Sequence, residues 1–126
     1  MKGFLPIAIL LLALPAQAQQ TSTLLGNWSG TFKGRGSELG VAMTVKATGG
    51  TWTFLPSGAT GQRNPCVGKA LPVVVKSRTD TELVIEIEGA RVLQGCLDAN
   101  VRLRSPNGKS LAGLFEDGRS VSLSRP

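Results

Sequence analysis

Apolar side chains recur at every second position through most of this chain. Val41, Met43, Val45 and Ala47 alternate with Ala42, Thr44, Lys46 and Thr48. Leu83, Ile85 and Ile87 alternate with Glu82, Val84, Glu86 and Glu88. Successive side chains of an extended strand point to opposite faces, so a period of two describes a strand with one buried face. No stretch longer than a turn carries the period of 3.6 that a helix needs. The chain is therefore all-β.

Turn residues divide it into about eight strands, near 24–33, 40–48, 51–55, 72–76, 82–88, 99–104, 110–115 and 119–124. The first carries Trp28 and Phe32 on one face with Gly30 between them. Gly49-Gly50 reads as a two-residue hairpin turn. That register opposes Val45 to Phe54 and Ala47 to Trp52. Pro106-Asn107-Gly108 and Asp117-Gly118 are further hairpin signals. Read as two-residue turns, they place Val101, Leu103, Ala112, Leu114, Val121 and Leu123 on one face. They turn Leu111 and Phe115 outward, and Arg102, Arg104, Ser120, Ser122 and Ser124 with them. Residues 89–98 hold a short strand before a bend. Glu86 and Glu88 are placed to pair across strands with Arg102 and Arg104. Short strands paired in sequence make an antiparallel meander. Its expected form is a closed up-and-down barrel, with a two-sheet β-sandwich as the alternative.

The first 18 residues stand apart. Lys2 supplies a positive start, residues 5–14 are apolar apart from Pro6, and Pro15-Ala16-Gln17-Ala18 ends in a small-residue cleavage pattern. This is an export signal, too short for a membrane span. Its removal from the 126 residues leaves 19–126 as a single domain and takes the formal charge from +6 to +5. The expected location is periplasmic or secreted. Outside the cytosol a basic balance no longer argues for nucleic acid, and the charges are spread along the chain rather than clustered. In an exported chain the two cysteines, Cys66 and Cys96, read as one disulfide.

Gly26-Asn27-Trp28 near the start of the first strand resembles the G-x-W signature of the calycins, the lipocalin and avidin group. The resemblance implies an eight-stranded barrel whose tryptophan closes one end. It also implies an arginine from the last strand packed over that tryptophan, here Arg119 or Arg125. The chain has no tyrosine and six aromatic residues in all, so the stacking side chains of avidin-like sites are not evident.

The residue inventory excludes much chemistry. There is no histidine, which removes the usual nucleophile–base pairs and zinc sites. Gly34-Arg35-Gly36 lacks the third glycine of a dinucleotide-binding turn. Glu86 and Glu88 lie about 7 Å apart on one strand face, a spacing open to paired-carboxylate hydrolysis, but no aromatic cleft accompanies them and they read as surface charge. No enzyme, metal or cofactor is expected. The first functional expectation is a non-enzymatic, protein-binding or inhibitor-like envelope domain, similar in build to periplasmic inhibitors of proteases and lysozymes. Its partner would be an envelope or extracellular protein. Its contact loops would be residues 34–39 and 56–69, with Arg35, Arg63, Asn64 and Lys69. The alternative is a lipocalin-like carrier of a small apolar ligand, with Trp28, Met43, Trp52, Phe54 and Ile85 lining a cup or filling a core.

Overall fold

The computed structural model describes residues 24–34, 36–56 and 64–126. The expected export signal, Arg35 and Arg63 lie outside the described residues. Eight strands run in chain order: β1 (Gly26–Lys33), β2 (Glu38–Lys46), β3 (Gly49–Leu55), β4 (Ala70–Arg78), β5 (Glu82–Glu88), β6 (Asp98–Arg104), β7 (Ser110–Phe115) and β8 (Ser120–Ser124). Each pairs antiparallel with its neighbours, and β8 returns to pair with β1, closing the barrel. The barrel, not the sandwich, is the fold.

Alternation puts one residue in two inside. Trp28 and Phe32 from β1, Val41, Met43 and Val45 from β2, and Trp52 and Phe54 from β3 are all buried. So are Leu83, Ile85 and Ile87 from β5, Val101 and Leu103 from β6, and Val121 and Leu123 from β8. An eight-stranded barrel is just wide enough for such side chains to fill. The five residues expected to line a cup or fill a core are each at most 5% exposed.

Three registers differ from expectation, in instructive ways. The β2–β3 turn is Ala47-Thr48, so Met43 opposes Trp52 and Val41 opposes Phe54. Gly49 and Gly50 belong to β3, where a Cβ at Gly50 would run into the Thr44 carbonyl oxygen. The turn moves by two residues and the partner of Val45 by four, from Phe54 to Gly50, and an even slip keeps every side chain on its face. The loops flanking β7 slip by one. Residues 105–109 form a five-residue loop closed by Asn107, whose Oδ1 accepts from the backbone N–H groups of Lys109 and Ser110. Val101 then opposes Phe115 and Leu103 opposes Gly113. At the other end Glu116-Asp117-Gly118 makes a three-residue turn, the Phe115 N–H donating to the Arg119 carbonyl, with Gly118 at a positive φ of 91°. The one-residue slip inverts β7. Leu111 and Phe115 are buried, while Ala112 and Leu114 face solvent. The second slip reverses the first, so Val121 and Leu123 stay inside. The register predicts unequal mutants. Leu111→Ala is expected to destabilise by about 2–5 kcal/mol, and Leu114→Ser by less than about 0.5 kcal/mol, read by urea denaturation.

Other expectations shift in detail. Residues 89–97 hold no strand; Gly89–Arg91 is a 3-10 turn, and β6 begins at Asp98. Glu86 pairs with Lys76 and Glu88 with Arg91, while Arg102 and Arg104 both reach Glu82 at 3.3 Å. The ladder explains this, since it places Glu82 opposite Arg104 and Glu86 opposite Asn100. All of these pairs lie on the outer wall, where such contacts contribute little.

Candidate functional site

A meander sends alternate connections to opposite ends. The β2–β3, β4–β5 and β6–β7 connections share one end with Leu24 and Arg125. There Trp28 Nε1 donates to the Leu24 carbonyl at 3.1 Å. The Arg125 guanidinium lies 4.1 Å from the centre of the Trp28 ring. Arg125 Nε donates to the Gly108 carbonyl and Nη1 to the Leu25 carbonyl. Of the two arginines open to this part, Arg125 takes it. The end is plugged.

The opposite end is built from the β1–β2, β3–β4, β5–β6 and β7–β8 connections. Its floor is aromatic. Phe32, Phe54, Trp52 and Phe115 form a closed circuit of edge-to-face contacts with centroids 5.1–6.0 Å apart. Edge-to-face packing sets the positive rim of one ring against the negative face of the next. Arg119 lies over this cluster, its guanidinium 5.2 Å from the Phe32 ring centre and 5.7 Å from that of Phe115. The Asp117 carboxylate holds Arg119 from the side, with Oδ2 2.6 Å from Nε and Oδ1 accepting from the Arg119 backbone N–H. Strand β8 thus has an arginine just beyond each end, and each covers aromatic rings at its own end of the barrel.

Above the floor is a cup of about 530 Å³. Phe32, Phe54, Leu39 and Leu97 provide its apolar surface; Ser37, Asn64, Asp117 and Arg119 provide polar groups. Cys66 also lines it and is bonded to Cys96, joining the β3–β4 loop to the β5–β6 loop. Asn64 shapes the turn before Cys66, its Oδ1 accepting from the Cys66 N–H at 2.9 Å. The disulfide closes a 30-residue separation. Its removal by a double Cys→Ser change is expected to lower stability by about 3–4 kcal/mol on the chain-entropy model. Denaturation of the wild type with and without a dithiol reductant should reproduce that difference.

The expected contact residues divide. Asn64 lines the cup; Lys69 is exposed beside it and does not. Trp28, Met43, Trp52 and Ile85 are packed in the barrel, Trp52 within the aromatic layer beneath the cup, and Phe54 alone of the five also lines the cup itself. Leu39 falls within the expected contact loop 34–39, whereas Asp117, Arg119 and Leu97 were not singled out for this end. The signal for them was strand count: an even number of strands separates any two loops that share an end. Among the described residues no group of three or more His, Cys, Asp or Glu is placed to hold a metal. No helix among them is long and apolar enough to cross a membrane.

The fold and this end define an eight-stranded antiparallel meander barrel, plugged at one end and opening at the other into a cup with an aromatic floor. That architecture is consistent with a calycin-like barrel. No protein-family model, curated protein or solved structure matches the chain.

Proposed function

We propose that this is a non-enzymatic exported binding protein that engages a protein partner of the envelope or the extracellular space through the loop end of its barrel. One observation carries the reading. Both loops expected to make contacts contribute to a single cup, the first through Gly34 and Ser37 and the second through Asn64 and Cys66. Loops held on a rigid scaffold are the usual place for recognition. The disulfide in that rim is compatible with an oxidising compartment. A carrier that encloses an apolar ligand is less well supported, because its candidate lining is packed core.

The test uses a photo-crosslinking side chain at Ser37 on the rim, or at Thr31 on the outer wall, in protein exported by its own cell. Crosslinks to a discrete protein from Ser37 and none from Thr31 support the reading. Equal yields from both positions, or none from either, sink it. Native mass spectrometry of the same preparation addresses the carrier: a reproducible added mass of a few hundred daltons would favour it.

A further inference from the structure

The polar groups of the cup are unbalanced in favour of donors. Arg119 Nε is buried in an ion pair with Asp117 Oδ2 whose alignment does not make a hydrogen bond, and neither Nη1 nor Nη2 makes a hydrogen bond to a described residue. Asn64 uses its Oδ1 on the Cys66 N–H, which leaves Nδ2 without a partner among the described residues. Among the described lining residues the one acidic side chain, Asp117, is already engaged by Arg119 through both of its oxygens. The guanidinium lies within 6 Å of two ring centres, with the Asp117 carboxylate beside its Nε, and its Nη pair is left available. That geometry suits an incoming carboxylate, which binds through parallel, charge-assisted hydrogen bonds. Phe32, Phe54, Leu39 and Leu97 stand beside it, so the group carrying the carboxylate is apolar.

The closed floor of the cup limits what brings that group. Small-molecule sites bury roughly 70–90% or more of their ligand. Here the floor is closed by the four aromatic rings, and the barrel below them is filled. An occupant enters by its end and leaves the remainder outside. Resting on the loop-end reading above, we infer that the cup captures the carboxyl-terminal residue of a partner polypeptide. The apolar side chain lies on Phe32 and Phe54, and the terminal carboxylate sits on Nη1 and Nη2 of Arg119. Capture of chain termini by convergent donors is a known mode of peptide recognition.

Calorimetric titration of the mature protein with three probes decides the matter: the peptide Gly-Ser-Gly-Leu with a free carboxylate, the same peptide as its amide, and N-acetyl-leucine. The free acid is expected to bind at least tenfold more tightly than the amide and than N-acetyl-leucine. Arg119→Gln should weaken the acid at least tenfold and leave the amide unchanged. Because Arg119 also packs on the floor, Asn64→Asp is the second variant. It keeps the Oδ1 acceptor for Cys66, replaces a donor with a negative oxygen, and should weaken the acid tenfold or more. Equal binding of acid and amide, no binding of any probe, or indifference to Asn64→Asp would overturn the inference. N-acetyl-leucine binding as tightly as the peptide would overturn the polypeptide source in favour of a small organic acid. Rim crosslinking to a protein partner can survive each of these failures, so the loop-end reading is judged separately.

Discussion

Trp28→Ala is expected to destabilise the barrel by about 3–5 kcal/mol, the range for deleting a large aromatic from a core. The side chain is 1% exposed, so truncation leaves a cavity at the plugged end that its neighbours fill only in part. Three contacts disappear with it: the Nε1 bond to the Leu24 carbonyl, the stacking of Arg125, and the packing of β1 against β2 opposite Met43. The stacking also positions Arg125, whose hydrogen bonds to Leu25 and Gly108 tie the start of the described chain to the β6–β7 loop. The effect should therefore exceed that of Trp28→Phe, which keeps a ring beneath Arg125. Equilibrium urea unfolding of the three proteins measures it. A loss below about 1 kcal/mol would mean that the closed end does not depend on this residue.

Gly30→Ala is the second large effect, and its origin is different. Gly30 occupies an inward position between Trp28 and Phe32, paired with Val41 on one side and Leu123 on the other. An added Cβ would collide with the Ser122 carbonyl oxygen and lie 2.8 Å from Leu123 Cα. Both obstacles are backbone, so no rotamer change relieves them, and β1 must move away from β8. That seam is where the barrel closes. Opening it exposes two unpaired strand edges, which invite association between chains. The expected loss is about 3 kcal/mol or more, at the upper end of overpacking effects. It far outweighs the roughly 0.5–1 kcal/mol gained by removing a glycine from a strand. Gly34→Ala is the control: its nearest neighbour, Ser37 Oγ, would lie 3.4 Å away, and its effect should stay within about 0.5 kcal/mol. Thermal unfolding gives the stability, and size-exclusion chromatography shows whether the seam variant oligomerises.

Legibility in the sequence depended on which interaction set each feature. Strand β5 was readable from alternation alone, because Leu83, Ile85 and Ile87 are buried whatever their partners are. The inward set of β2 and β3 survived a misplaced turn, since the error was an even number of residues. Strand β7 did not survive, because its sequence, Ser-Leu-Ala-Gly-Leu-Phe, has apolar residues on both faces. Its orientation then rested on loop length. Asn107 and Gly118 close turns one residue different from the shortest hairpin their sequences allow, and that difference decides whether Leu111 or Leu114 is buried. The cup was half legible. Its β1–β2 and β3–β4 loops were expected contacts, and Asn64 was named. Asp117 and Arg119 were visible only as a turn and as one of two arginines available to Trp28.

The sequence by itself determined the strands, the buried faces of most of them, and the pairing of Cys66 with Cys96. Each follows from local alternation or from there being a single possible partner. Only the tertiary structure decided the face of β7, the choice of Arg125 over Arg119 for Trp28, and the gathering of four loops around one aromatic floor. Those depend on register and closure, which are set by hydrogen bonds between residues far apart in the chain. Ser29 pairs with Ser124 across the seam, and no local pattern carries that information.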